Sequence, residues 1–321
     1  MYKQWQFRAL TNIWTGNIEQ KPKNLILTGI MGSLRWWFEV LVRGLGGKAC
    51  DPSAKESRCP DKQGRRCVVC ELFGCTGWAR KFRLMIVDEH GQVIQKQIKE
   101  GQTFILRFIP LRFIQEEEWC LLDLTLRLIA NYGAIGGKTV FKPSDETERE
   151  GRIYHQDFGL ISLDGSPDDL VRFPQEHLEA YVQNGNGQWR TNIDDTNFTW
   201  ASLKNFWCVN RRYLTRRDAN TSSFNFIIER SESKNQSKDR TYDSWLAGRS
   251  SDRQTNIDPE SKKVFSFKQS SRTFGFVQNP DRDFDLIIEK LEELRERGDQ
   301  HWLSFQRTEF QIGENLLRHL F

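Results

Sequence analysis

The sequence predicts an α+β protein whose first half follows a split βαββαβ order and carries a metal-binding insertion. Three observations predict it. Segments of alternating apolar residues and segments of helical apolar spacing succeed one another as β, α, β, β, α, β. Five of the seven cysteines fall between Cys50 and Cys75. A further α+β run begins near Phe198.

Taken in order, YKQWQFRALTNIWTG alternates aromatic and β-branched residues with polar ones and stops at Gly16, as a strand does. A loop with Lys21, Pro22 and Lys23 leads into the apolar run LILTG. From Ile30 the period changes. Ile30, Leu34, Trp37, Phe38, Leu41 and Leu45 make one apolar helix face. Arg35, Glu39 and Arg43 stand at i, i+4 intervals where they can pair, and Gly44, Gly46 and Gly47 end the helix. KFRLMIVD and TFILRFIPLRF read as strands, residues 116–132 as a second amphipathic helix closed by Gly133, and GRIYHQDFGLISLDG as a further strand. This order is ferredoxin-like: an antiparallel sheet with two helices on one face, which RRM-like modules use to show a surface to RNA.

Residues 163–196 are rich in Gly, Pro, Asp and Asn and read as a linker or irregular insertion. The expected domains are therefore 1–165, with the cysteine-rich insertion at 48–78, and 166–321. In the second, FNFIIE and VFSFK read as strands, while the polar stretches 231–241 and 248–262 read as mobile loops. DFDLIIEKLEELRERG reads as a helix with Ile287, Leu291 and Leu294 facing inward and Gly298 at its C-terminal cap.

A chain of 321 residues with 38% hydrophobic and 28% charged residues has room for two cores and is too apolar for disorder. Its net charge of +4 is unevenly spread. Residues 35–83 hold eleven Lys/Arg against five Asp/Glu, whereas residues 144–195 hold four against twelve. Such asymmetry suits one face for a polyanion and another for solvent or a basic partner. Eleven tryptophans supply core and interface anchors, or platforms on which bases stack. The longest apolar stretch, from Trp36 to Leu45, is broken by Glu39, Arg43 and Gly44. No membrane span is expected, and with its clustered thiols the protein reads as cytoplasmic.

The cysteines are spaced C-x8-C-x7-C-x2-C-x4-C. A C-x2-C pair on a tight turn can put two thiolates on one tetrahedral zinc ion at about 2.3 Å. The surrounding loop, with Pro52, Pro60, Gly64, Lys62, Arg65 and Arg66, is too polar to fold around a core of its own, so metal would supply the folding energy. Cys50, Cys59, Cys67 and Cys70 are the expected ligands of a structural zinc. Cys75, beyond Leu72 and Phe73, is left out. Catalytic zinc is not favoured, because neither a His ligand nor a Glu base lies near the thiols.

Two glycine clusters could approach a phosphate backbone. Thr28, Gly29, Gly32 and Ser33, with Arg35 just inside, open the first predicted helix; ordinary N-capping would have the same spacing. Gly133, Gly136 and Gly137, with Lys138 and Lys142, follow the second helix, which excludes a Walker motif and equally suits a glycine-capped helix end. NFWCVNRRYLTRR interleaves aromatics with Arg211 and Arg212, and FKQSSRTFGF adds Lys268 and Arg272. Bases stack on aromatics and guanidinium groups bind phosphate, although a helix or strand with one buried and one charged face reads the same way.

Together, GSLRWWFEVLVRGLGG, C-x2-C-ELFG, YGAIGGKT and FSFKQSSRTFGFV resemble the RAMP superfamily of CRISPR–Cas proteins, in particular those of type III-B Cmr effector complexes. The loop GGKTVFKPS departs from the arginine-rich glycine loops common in that family. The resemblance implies two ferredoxin-like domains and a non-catalytic place in a ribonucleoprotein near the guide's 3′ end. The implied partners are guide RNA, target RNA and other RAMP subunits, with no membrane and no small-molecule substrate. Carried over to this chain, Gly32, Ser33, Arg35, Gly133, Gly136, Gly137 and Lys138 become the expected RNA contacts. The alternative is a metal-independent endoribonuclease that processes guide precursors. It would need a His, Tyr or Lys at the scissile phosphate. The five histidines, His90, His155, His177, His301 and His319, all stand outside the basic, glycine-rich stretches.

Overall fold

The computed structural model describes residues 2–16, 23–51, 57–137, 144–146, 151–190, 192–216, 222–230, 244–248 and 260–321. Two compact units form. The first is built from residues 1–139, 158–204 and 314–321, the second from 140–157 and 205–313.

In the first unit, strands β1 (Lys3–Ala9), β2 (Phe82–Val87), β3 (Thr103–Pro110) and β4 (Ile161–Gly165) lie in the order β2-β3-β1-β4, every neighbour antiparallel. This is the ferredoxin-like order, and the alternation in β1 explains its register. Trp5, Phe7 and Ala9 point to the buried face, opposite Leu106 and Phe104 of β3 for the first two. Burying side chains of this size contributes about 2–3 kcal/mol each. Helices α1 (Leu27–Gly44) and α3 (Glu116–Tyr132) cover that face, with the short α2 (Val68–Phe73) in the cysteine insertion. The Trp5 indole N–H donates to Asp123 Oδ1 of α3 at 2.7 Å, which fixes the helix on the sheet. A capping box between Gln115 and Glu118 starts α3, and Lys81 donates to both oxygens of the fully buried Glu118 at 2.9 Å.

The second unit repeats the architecture. Strands β5 (Phe206–Asn210), β6 (Val264–Phe267), β7 (Arg272–Phe276) and β8 (Gln311–Ile312) take the order β6-β7-β5-β8, again antiparallel. With α5 (Ser223–Ile227) and α6 (Pro280–Glu296) this is a second ferredoxin-like domain. Ile287, Leu291 and Leu294 are the buried residues of α6, and they pack with Trp207, Phe224 and Trp302. The helix starts on an Asn279 cap with Pro280 at its first position, and Gly298 follows its end in the left-handed conformation. The chain closes with α7 (Gly313–Leu320).

Several sequence expectations change. Residues 166–204 belong to the first unit, not the second. They contain a real helix, α4 (Gln175–Asn184), whose narrow apolar stripe, Leu178 and Val182, was masked by the polar composition around it. FNFIIE is helical over α5 because the Ser222 hydroxyl accepts the Asn225 N–H at 3.1 Å, and that cap outweighs the strand preference of its aromatic and branched residues. Of GRIYHQDFGLISLDG only β4 is strand, and Ile153–His155 is a single 3₁₀ turn. The polar stretch 231–241 and most of 248–262 lie outside the described residues.

Candidate metal centre and nucleic-acid interface

The cysteine insertion is organised by its own backbone. Cys67 caps α2, its sulfur accepting the Cys70 N–H at 3.4 Å, so the C-x2-C spacing places two sulfurs at one helix start. Cys59 Sγ accepts the Cys67 N–H at 3.3 Å. Cys50, Cys59, Cys67 and Cys70 are all buried, and their four sulfurs lie within 4.8 Å of one another. Cys50 and Cys70 approach to 3.4 Å without a disulfide. Four sulfurs at about 2.3 Å from a tetrahedral ion would stand about 3.8 Å apart, so the group fits zinc.

Proton sharing in so small a cluster is uneven. Hydrogen bonds from Cys50, Cys67 and Cys70 draw the Cys59 thiol far down, while Cys70, bonded to Cys50 and Cys59, is pushed far up. The four cannot all be thiolates without a cation to offset their charge. Cys75 stands apart, partly exposed, in a hairpin closed by two Cys75–Trp78 backbone bonds of 2.9 Å.

Arg35 is tied to this cluster. Its guanidinium donates to Cys70 Sγ at 3.2 Å, to the Gly74 carbonyl at 2.9 Å and to Glu39 Oε1 at 2.9 Å. Burial opposes its charge, but Cys70 and Glu39 more than compensate and hold its pKa above the ordinary value. Burial pushes the Glu39 carboxyl up, and Arg35 pulls it back. The expected pairing with Glu39 is therefore present, whereas Arg43 turns inward to the carbonyls of Ala201 and Ala49 at 3.2 and 3.3 Å.

The helix-start expectation shifts. Helix α1 begins at Leu27, three residues before Ile30, so Gly32 and Ser33 lie in its second turn and their amides belong to the helical ladder. The two glycine clusters nevertheless meet, because the Gly136 N–H donates to Ser33 Oγ at 3.1 Å. Gly133 and Gly136 answer to packing. A Cβ on Gly133 would stand 2.5 Å from the Trp37 ring, and one on Gly136, at φ +131°, would stand 2.6 Å from the Trp14 carbonyl. Gly32 and Gly137 are exposed, and a Cβ on Gly32 would meet nothing within 4 Å. Lys138 and Lys142 lie outside the described residues.

In the second unit the basic candidates divide. Arg212 is committed internally: it holds both oxygens of Glu309 at 2.6 and 2.8 Å and also donates to the His301 carbonyl at 2.9 Å. Arg272 is buried within β7. Lys268 is half exposed and pairs with Asp145 Oδ1 at 2.7 Å. Arg211 is exposed in a turn at φ +67°.

Residues 6–141, which span β1 through α3 and the glycine loop, match the family model of the RAMP superfamily. That stretch is similar to the RAMP superfamily. Among curated proteins none matches it in sequence. Solved structures to which it is similar include the apo crystal structure of Cmr1 from Pyrococcus furiosus, at 11% identity and a TM-score of 0.45, covering 90% of this chain and 96% of that one. A cryo-EM structure of the type III-B Cmr-beta complex bound to cognate target RNA contains a chain similar at 11% identity and 0.45, covering 91% and 99%.

Two groupings escaped the sequence reading. His301 Nε2 lies 3.3 Å from Asp145 Oδ2, and its ring lies 4.0 Å from that of Tyr213. Asp157 is buried and accepts the Gln269 N–H at 2.7 Å, and burial pushes its carboxyl up to about 6. Both join residues more than a hundred positions apart, which no local spacing reveals.

Proposed function

We propose that this chain is a RAMP-superfamily protein and a non-catalytic, RNA-binding subunit of a type III-B effector ribonucleoprotein. It would hold guide and target RNA beside other RAMP subunits near the guide's 3′ end, with structural zinc on Cys50, Cys59, Cys67 and Cys70. The observation that carries the reading is the meeting of α1 with the loop after α3 at the Ser33–Gly136 bond. That contact sets two exposed glycines, Gly32 and Gly137, where a phosphate backbone can approach bare main chain. The sequence markers add to it, since within the superfamily they most resemble the first subunit of the Cmr complex. Gly32, Gly137, Arg211 and Lys268 are the exposed residues proposed to contact RNA, with Lys138 and Lys142 carried over from the sequence. Arg35, Arg212 and Arg272 serve the protein's interior. Zinc, when bound, would supply charge neutralisation and a cross-link to a loop with little apolar content. Binding of labelled single-stranded RNA to the purified chain tests this. Affinity should fall steeply with salt and depend little on base sequence, without cleavage products. Salt-insensitive or strongly sequence-selective binding would count against it.

A second reading, a metal-independent endoribonuclease, has one observation in its favour: His301 is oriented by Asp145 beside Lys268 and Tyr213. RNA products that disappear in His301→Ala would establish it.

A further inference from the structure

The basic excess of residues 35–83 finds its outlet on the surface of the cysteine insertion. Arg35, Arg43 and the buried Lys81 turn to protein partners. Arg66, ion-paired with Glu71, and Arg112 are both half-buried, but they are held against an indole ring. The Arg66 guanidinium carbon lies 3.6 Å from the Trp78 ring centroid and that of Arg112 lies 3.9 Å from it. Two planar groups so near one centroid cannot share a face, so the indole is clasped on both sides.

The platform is fixed from below. The Trp78 indole N–H donates to the Glu71 carbonyl at 3.4 Å, and its hairpin is closed by the backbone bonds to Cys75. Arg66 is held through Nε by Glu71 at 3.0 Å and through Nη1 by the Gly64 carbonyl at 2.7 Å. Arg112 donates through Nη2 to the Ala79 carbonyl. These bonds leave Nη2 of Arg66, and Nε and Nη1 of Arg112, without hydrogen-bond partners among the described residues. Arg80, two residues beyond Trp78, has none there at all. A stacked guanidinium has already lost its rotamer freedom, so its free N–H groups bind an oxyanion at low entropic cost. Next to Arg112 in the chain, Phe113 is 81% exposed. Immobilised guanidinium groups beside an exposed aromatic match a single strand, whose phosphates take the charge while an unstacked base takes the ring. A protein partner would call for a continuous apolar patch, whereas here each apolar residue alternates with arginine.

We propose that Arg66 and Arg112, stacked on Trp78, form a phosphate-binding clip for single-stranded RNA on the cysteine insertion. The clip rests on the RNA-binding reading above and gives that activity an anchor outside the glycine loop.

Fluorescence anisotropy of a labelled single-stranded RNA with the full chain tests it, with zinc content measured for every variant. Arg112→Gln should weaken binding about five- to tenfold and lower the salt slope by about one, as loss of one phosphate contact does. Arg112→Lys keeps the charge but loses the planar stack, and should fall between. Trp78→Leu should weaken binding with every charge retained, and Lys290→Gln on α6 should change nothing. Because Arg112 lies outside the insertion, its variants report on the clip even where Trp78→Leu disturbs zinc. Wild-type RNA affinity in Arg112→Gln would overturn the clip and leave the RNA-binding reading standing. Failure of the wild-type chain to bind RNA would remove both.

Discussion

The guanidinium of Arg35 and the sulfur of Cys70 stand 3.2 Å apart, joining the middle of α1 to the four-cysteine cluster. A tetrathiolate around a divalent ion carries net negative charge, and Arg35 is the cation that α1 brings to it. An arginine that sequence spacing offered to RNA is thus a neighbour of the candidate metal ligands.

Removing that neighbour should loosen the metal before it affects RNA. Arg35→Gln should release zinc to a competing chelator about tenfold faster or more, the usual scale for loss of an outer-shell partner. It should also cost about 2 kcal/mol of stability through its charged hydrogen bonds. Chelator kinetics with a thermal melt checks both. Arg35→Gln protein with ordinary zinc retention and weakened RNA binding would restore the RNA assignment.

Cys67→Ser should release the metal and expose residues 57–67 to protease, because little apolar surface holds that loop. Cys75→Ser should retain about one zinc per chain. Metal analysis and limited proteolysis read the difference.

Gly133 and Gly32 should respond oppositely. Gly133→Ala drives a methyl into Trp37 and should cost about 1–3 kcal/mol, as overpacking does. Gly32→Ala adds a methyl in open space on a helix and should stabilise by up to about 1 kcal/mol. Denaturant midpoints measure both. Weaker RNA binding in the stable Gly32→Ala protein would mark Gly32 as a point of backbone approach.

Asp157 should make the second unit pH-sensitive. Its carboxyl is raised from 3.8 to about 6, mainly by burial, against a smaller opposing pull from the Gln269 and Lys268 amides. A folded-state pKa above the unfolded one favours the protonated form in the fold. This contribution is therefore fully present below about 4 and is lost as pH rises through about 6. The loss is at most about 3 kcal/mol. Asp157→Asn should flatten stability between pH 4 and 7 relative to the parent and be the more stable protein at pH 8. Melts of both proteins across that range test the sign.

What was legible in the sequence was what local spacing determines. Ile287, Leu291 and Leu294 recur at helical intervals, and they are the buried residues of α6. The four candidate ligand cysteines fall within one short insertion, and their sulfurs converge. What was missed depends on distant partners. Arg35 is claimed by Cys70, 35 residues on, and by Gly74, 39 residues on, so an i+4 pattern could find only Glu39. The stacking of Arg66 and Arg112 on Trp78 requires the insertion and the turn after β3 to meet, which composition does not encode. Conversely, FNFIIE misled because its side chains favour a strand and a single capping serine decides for helix.

The first unit is assembled from three separate stretches, the last of them residues 314–321, where Leu316 and Leu317 are buried. Synthesis therefore delivers β1 long before the unit can close, and the whole second unit is made in the interval. A ribosome-bound chain would carry an incomplete first unit for most of its translation, with apolar surface waiting for those leucines. The cysteine insertion, whose four candidate ligands lie between residues 50 and 70, is the part able to lock early. Metal supply during synthesis would then govern the yield of correctly closed protein more than metal supply afterwards.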